Sequence, residues 1–189
     1  MNIPYTVDRR ADTGVTNVTM GIWLFLASEV MLFGALFSAY ALLRVSAPAW
    51  PSGRDVLSLP HGITNTVILL IMTALAWRAR ALPIRPARRA MLFSSALALA
   101  FLAVKINEYA GEIGHGLVPA RNTFLATYFT LTGLHFLHVV CGLVANAWAI
   151  TGVTRAGDAM TAGRFRALSL YWTFVDLVWW IIFGLMYLS

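Results

Sequence analysis

Residues 20–40 read MGIWLFLASEVMLFGALFSAY, a run of mainly apolar side chains interrupted by one carboxylate, Glu29. About 20 apolar residues are enough for a helix to cross the hydrocarbon core of a bilayer, which is roughly 30 Å thick. An acidic side chain near the middle of such a helix costs about 3 kcal/mol on insertion scales, so acids found there usually have a function. The stretch therefore predicts a membrane-spanning helix with a candidate functional residue.

The composition of the whole chain also indicates a membrane protein. Of its 189 residues, 59% are hydrophobic and 12% are charged, and the mean hydropathy is +0.73, which is unlike a soluble domain. Helices are required, because open strands leave backbone groups without partners in lipid. We predict an all-α polytopic membrane bundle of five transmembrane helices, formed by residues 18–44, 61–79, 89–110, 122–150 and 167–188. A polar tail, residues 1–17, precedes this single transmembrane domain, residues 18–189.

The arginines predict the orientation of the bundle. Ten of them lie in the N-terminal tail and around the loops after the second and fourth spans: Arg9, Arg10, Arg78, Arg80, Arg85, Arg88, Arg89, Arg155, Arg164 and Arg166. The opposite side has Arg44, Arg54 and Arg121. By the positive-inside rule, we expect the N-terminus in the cytoplasm and the C-terminus, Ser189, outside.

Charge and cysteine content argue against several classes of protein. The net charge of +6 comes from residues in short loops, so we expect anionic lipid headgroups as counterions and no nucleic acid partner. Cys141 is the single cysteine, which excludes an intrachain disulfide and a thiolate metal cluster. The sequence has no glycine-rich phosphate loop, no nucleophile elbow and no HExxH motif.

Ionisable side chains recur in the middle of two further spans. His135 and His138 lie three residues apart in TYFTLTGLHFLHVVCGL, residues 127–143, and Asp176 lies in YWTFVDLVWWIIFGLMYL, residues 171–188. The spacing predicts that the two histidines project from similar faces and could act together. Like Glu29, each of these groups has two open interpretations: a proton- or lipid-related role, or hydrogen bonding between helices.

A metal or haem site is the less favoured interpretation of the histidine pair. Further ligands would have to come from His61 and His115, which lie near the membrane edges. We expect neutral imidazoles bonded to Glu29, to Asp176 or to backbone carbonyls, which would form a polar seam through the bundle.

Lys105 and Glu108 are spaced i to i+3 in the third span, so they are predicted to pair on one face of the helix. We interpret this pair as structural. No catalytic residue and no metal ligand is predicted on the chain.

Motifs in all five spans together resemble subunit III of haem-copper respiratory oxidases. In chain order they are WLFLASEVMLFGALFSAY, NTVILL, KINEYAGEI, YFTLTGLHFLHVVCGL and YWTFVDLVWWIIFGLMYL, at residues 23–40, 65–70, 105–113, 128–143 and 171–188. The resemblance covers nearly the whole chain and implies a five-helix form of a subunit that has seven helices in other members. By this resemblance, Glu29 matches the family's intramembrane carboxylate, and His135 and His138 match its TGxHxxHV pair. Glu108 and Tyr109 match the EY pair, and Asp176 matches the terminal aspartate.

The resemblance implies an accessory subunit of a proton-pumping terminal oxidase in a bacterial inner membrane. Such a subunit binds no haem or copper itself, since these belong to subunit I. It packs directly on subunit I within a complex that includes subunit II, binds phospholipid, and supports stability and proton uptake while oxygen is reduced to water. The electron donor, cytochrome c or quinol, stays open because it depends on subunit II.

Two other functions stay open, and the chain departs from the family pattern in two features. The chain could accompany a nitric oxide reductase, or it could be a stand-alone transporter or proton channel whose path is lined by Glu29, the histidines and Asp176. Thr173 stands where the family usually has histidine in YWHFVD. The two absent helices also remove one wall of the family's lipid-holding cleft.

Overall fold

The computed structural model describes residues 8–152 and 158–189, and within these ranges the regular elements are all helical. In chain order they are α1 (Asn17–Ser46), the one-turn α2 (Gly53–Val56), α3 (Leu59–Ala79), α4 (Ile84–Gly114), a 3₁₀ turn (Pro119–Arg121), α5 (Thr123–Thr151) and α6 (Asp158–Tyr187). The five long helices are long and apolar enough to cross a membrane. The predicted all-α bundle of five membrane helices is therefore confirmed.

Two of the long helices, α4 and α6, begin well before the spans that the apolar segments predicted. The predicted span at residues 89–110 lies inside α4, which starts at Ile84, and the predicted span at 167–188 overlaps α6, which starts at Asp158 and ends at Tyr187. Pro86 falls in the first turn of α4, where proline is tolerated because the first amides of a helix have no carbonyl partner within it. The first seven residues of the polar tail and Arg155 lie outside the described residues.

Helices α3 to α6 form a four-helix bundle, and α1 lies at its edge. α3 packs against α4 and α6, α5 also packs against α4 and α6, and α1 contacts α6 and α5. The buried residues of α1 are Leu26, Phe33 and Tyr40, each seven residues after the last. Residues at this spacing form a narrow stripe, so most of the surface of α1 faces outward from the chain.

Two tryptophans of α6 fill the centre of the bundle. Trp172 and Trp179 are fully buried, and each indole N–H donates a hydrogen bond: Trp172 to Asn146 Oδ1 at 3.1 Å, and Trp179 to Thr66 Oγ1 at 2.9 Å. Gly142 lets α5 approach Trp172, because a Cβ atom at that position would lie 2.5 Å from Cη2 of the indole. The aromatic core thus sets the positions of α3, α5 and α6.

Candidate functional site

Glu29 and His138 form a pair between α1 and α5. His138 Nε2 lies 2.9 Å from Glu29 Oε2, and His138 Nδ1 lies 2.8 Å from the carbonyl oxygen of Leu134. A carbonyl oxygen can only accept, so Nδ1 carries a hydrogen and donates it to Leu134. A bond between Nε2 and Oε2 then requires one more proton, held either by the carboxyl or by the imidazole. The pair therefore shares a proton.

The surroundings of this pair restrict its access to water. The side chains of His138 and Glu29 are 12% and 13% exposed. The ring of Phe33 meets the imidazole edge-on with 5.0 Å between centroids, and the Tyr171 hydroxyl donates to the His138 carbonyl at 2.7 Å. The arrangement brings α1, α5 and α6 together around one polar contact, and it matches the expected bond between Glu29 and an imidazole.

His135 lies on a different side of α5 from His138. It is fully buried, between Phe101 and Trp179, with ring centroids at 5.6 Å and 5.2 Å. Neither ring nitrogen has a hydrogen-bond partner among the described residues. The predictions that both imidazoles are hydrogen-bonded and belong to one polar seam are wrong for His135. Three residues along a helix leave about 60° between side chains, which is enough here to separate the core from the α1 interface.

Lys105 and Glu108 form the predicted pair, with 3.0 Å between Nζ and Oε2 and both side chains fully buried. Lys105 Nζ also donates to the hydroxyl of Tyr128 at 2.8 Å and to that of Tyr187 at 2.7 Å. The pair is thus the centre of a polar cluster that connects α4 with α5 and α6.

A second carboxyl, Glu112, belongs to the same cluster. The Tyr128 hydroxyl donates to Glu112 Oε1 at 2.9 Å, and the Tyr187 hydroxyl donates to Glu108 Oε1 at 2.7 Å. Glu112, Tyr128 and Tyr187 were not among the residues predicted from the sequence. The seven-residue separation of Lys105 and Glu112 was a usable signal, since it places both on one face of a helix, whereas nothing in the sequence assigns the two phenols to this cluster. We call these five residues the Lys105 cluster.

Asp176 lies apart from the histidines. Its side chain is mostly buried beside Thr73 of α3, and its Oδ1 atom has no hydrogen-bond partner within residues 8–152 and 158–189. Among the described residues, no hydrogen bond joins Asp176 to His135 or His138. The expected bond from an imidazole to Asp176 is therefore not formed, and the mid-span polar groups do not make one continuous hydrogen-bonded path.

Two arginines line a cavity at the end of α3 and near the start of α6. The cavity measures ≈ 370 Å³ and is bounded by Trp77, Arg80, Ala81 and Arg166. The Arg80 guanidinium lies 3.9 Å from the centroid of the Trp77 ring, and its buried Nη1 atom has no hydrogen-bond partner in the part of the chain that the structure describes. None of the described lining residues is a carboxylate, so the cavity suits an anionic group.

Thr173 holds the tryptophan of this cavity in place. Its hydroxyl oxygen accepts a hydrogen bond from Trp77 Nε1, and the same hydroxyl donates to the Ser169 carbonyl at 2.8 Å. Thr173, the residue that departs from the family motif, thus supports the aromatic surface on which Arg80 stacks.

The remaining histidines and the cysteine make no shared site with these residues. His61 bonds to Ser58 Oγ at 2.6 Å, and His115 to the Gly111 carbonyl at 2.7 Å. Cys141 is exposed on the surface of α5. Within residues 8–152 and 158–189, no group of three or more His, Cys, Asp or Glu side chains is placed to hold a metal ion.

Known proteins resemble this chain over nearly its whole length. The model of a family described as cytochrome c oxidase subunit III matches residues 9–189. The chain is 34% identical to the cytochrome bo(3) ubiquinol oxidase subunit 3 of Pseudomonas aeruginosa, an alignment that covers 96% of this chain and 88% of that protein. It is 28% identical to the cytochrome c oxidase subunit 3 of Bacillus sp. (strain PS3), covering 98% and 92% respectively. It is also 32% identical to part of the heme-copper oxidase subunit I+III of Aeropyrum pernix, covering 90% of this chain and 22% of that protein.

Proposed function

Since the chain belongs to the cytochrome c oxidase subunit III family, we propose that it serves a proton-pumping terminal oxidase that reduces oxygen to water. The chain is an accessory subunit III of a haem-copper oxidase, and the oxidoreductase activity is that of the complex. Haem and copper belong to the catalytic subunit I in this proposal, and electrons arrive from cytochrome c or quinol through subunit II. The relatives compared above are all oxidase subunits, which favours an oxidase over a nitric oxide reductase as the partner complex.

The chain is a multi-pass membrane protein, and we place it in a bacterial inner membrane with its N-terminus in the cytoplasm. The described arginines support this orientation. Arg78, Arg80 and Arg85 lie at the junction of α3 and α4, and Arg164 and Arg166 lie early in α6, so they share one end of the bundle. Basic residues concentrate on the cytoplasmic side of membrane proteins.

We propose that the chain packs directly on subunit I through the exposed face of α1. In an apolar stretch of 18 residues within α1, only 11% is buried against the rest of the chain. Ala27, Gly34 and Ala41 are exposed at seven-residue intervals, and a Cβ atom added at Gly34 would meet nothing within 4 Å. Such a strip of small residues allows another membrane helix to approach closely. The Aeropyrum pernix relative, whose name joins subunits I and III in one protein, supports subunit I as the occupant.

Two matched variants test this docking face. Gly34→Leu adds bulk to the open face of α1, and Gly184→Leu adds the same bulk to α6, where a Cβ atom would also meet nothing within 4 Å. We expect Gly34→Leu to lower the amount of subunit I that co-purifies with the chain, and Gly184→Leu to leave it unchanged. Equal recovery from both variants would contradict docking through α1.

We also propose that the Glu29–His138 pair supports proton uptake by the complex. The two groups share one proton inside an otherwise apolar region, and their side chains retain 13% and 12% exposure. A shared proton can move between carboxyl and imidazole without leaving the pair. The absence of a continuous hydrogen-bonded path through His135 and Asp176 makes a stand-alone transporter the weaker alternative.

We propose that the cavity lined by Arg80 and Arg166 binds a phospholipid headgroup. Arg80 and Arg166 supply two positive charges at the end of the bundle that we place in the cytoplasm, and Trp77 supplies an amphipathic ring at the same depth. A phosphodiester headgroup would satisfy the unpartnered Nη1 atom of Arg80. We expect Arg80→Gln to reduce the amount of phospholipid that the purified complex retains, as measured by mass spectrometry. Arg85 is exposed and lies outside the cavity, so Arg85→Gln should leave that amount unchanged. Equal retention would contradict this site.

A further inference from the structure

The Lys105 cluster uses each of its hydrogen-bond donors once. The ammonium group of Lys105 has three N–H bonds, and these point to Glu108 Oε2, to the Tyr128 hydroxyl and to the Tyr187 hydroxyl, at 3.0, 2.8 and 2.7 Å. The Tyr187 hydroxyl hydrogen goes to Glu108 Oε1, and the Tyr128 hydroxyl hydrogen goes to Glu112 Oε1. After this assignment no donor within the cluster is left over.

One acceptor remains without a donor. Glu112 Oε2 is buried and has no hydrogen-bond partner among the described residues, and the residue as a whole is only 5% exposed. A buried ionised oxygen without a donor is costly, because it loses the hydrogen bonds that water would supply. The geometry thus leaves a place for a hydrogen on Glu112 Oε2.

The charges in the cluster lead to the same conclusion. Lys105 is the one cation and is in direct contact with Glu108, so this pair is already neutral. The other titratable groups that face Glu112 are phenols: Tyr128 from α5 and Tyr187 from α6, which are linked to it directly or through the cluster. An ionised Glu112 would therefore be a second anion beside one shared cation inside the bundle.

Tyr109, the remaining phenol near the cluster, does not supply the missing donor. Its ring lies under Lys105, with 4.9 Å from Nζ to the centroid. Its hydroxyl is paired instead with Thr132 Oγ1 at 2.6 Å.

We propose that Glu112 is a proton-binding site, with its carboxyl holding one exchangeable proton on Oε2. The site is distinct from the Glu29–His138 pair and does not depend on the partner complex. Glu112 lies two residues before the end of α4 at Gly114, so its proton exchanges with water at that end of the bundle. Loss of the proton adds an anion to a cluster that joins α4, α5 and α6, and so weakens the packing of these three helices.

Infrared spectroscopy of the protein purified from membranes in mild detergent tests this site. We expect Glu112→Gln to remove a carbonyl stretch of a protonated carboxylic acid, a band that shifts in D₂O. The side-chain amide of glutamine keeps a donor at the position of the proton, so this variant should fold. Asp55→Asn is the matched control, because Asp55 is exposed on α2 and its substitution should remove carboxylate bands. Loss of carboxylate bands in Glu112→Gln would overturn the proposal.

A second variant keeps the test decisive if Glu112→Gln does not fold. Tyr128→Phe removes the donor to Glu112 Oε1, so the protonated carbonyl loses a hydrogen bond and its stretch should move to higher wavenumber. An unchanged protonated-acid region in Tyr128→Phe would overturn the proposal as well.

Discussion

His138 Nε2 lies 2.9 Å from Glu29 Oε2, and this contact joins the edge helix α1 to α5. The buried residues of α1 are those of the narrow stripe, Leu26, Phe33 and Tyr40. Tyr40 adds a second polar connection, since its hydroxyl donates to the Leu185 carbonyl at 2.9 Å. These two hydrogen bonds and the apolar seam therefore help to fix the position of α1.

Substitution by leucine is predicted to affect the stability of the protein differently at the two histidines. His138→Leu removes the partner of Glu29 and should lower the free energy of unfolding by about 1–3 kcal/mol. His135→Leu replaces an imidazole without hydrogen-bond partners by an apolar side chain, so stability should stay the same or rise. Thermal unfolding of the purified protein in detergent measures both. A larger loss for His135→Leu would mean that His135 has a polar partner.

Replacement of Glu29 by glutamine is predicted to leave the haem optical spectrum of the assembled complex unchanged. Glu29 bonds to His138, and we assign haem to another subunit, so the substitution removes no ligand. The measurement is the reduced-minus-oxidised spectrum of the complex, compared with that of the unsubstituted protein. Loss of haem absorbance in Glu29→Gln would refute this assignment.

Two glycines of α5 provide a matched test of the α5–α6 interface. A Cβ atom at Gly142 would lie 2.5 Å from Trp172 Cη2, whereas one at Gly133 would meet nothing within 4 Å. Gly142→Ala should therefore destabilise the bundle by about 1–3 kcal/mol through overpacking. Gly133→Ala should not, and unfolding temperatures compare the two. Equal effects would contradict the close approach of α5 to Trp172.

Lys105 is predicted to be needed for the stability of the fold as long as Glu108 is ionised. Lys105→Met leaves a buried carboxylate without its cation and should cost about 3–5 kcal/mol. The double variant Lys105→Met with Glu108→Gln removes both charges and should recover part of that loss. Protein yield and unfolding temperature measure the recovery. A double variant that is less stable than Lys105→Met alone would show that the pair is not the dominant charge interaction.

The sequence was sufficient to predict the five membrane helices, because each contains an apolar stretch of spanning length. It was less informative about where α4 and α6 begin. Hydropathy marks the part of a helix that suits lipid, whereas the helical backbone of α4 extends through the arginines and Pro86 that precede residue 89. The starts of these helices therefore needed the structure.

The candidate site was predictable in part. The mid-span positions of Glu29 and His138 indicated a bond that the structure contains, and the spacing of Lys105 and Glu108 indicated their contact. The divergence of His135 from His138 depends on which helices flank α5, and the approach of Tyr187 to Lys105 across 82 residues depends on how α4 and α6 pack. Local spacing carries neither kind of information.

Affinity purification of the tagged chain in mild detergent is the most direct test of its place in a haem-containing oxidase complex. We expect haem absorbance and subunit I to co-purify with the chain in a constant ratio to it. A chain that purifies without pigment as a single monodisperse species, or one that binds iron or copper stoichiometrically in the absence of other subunits, would contradict the account.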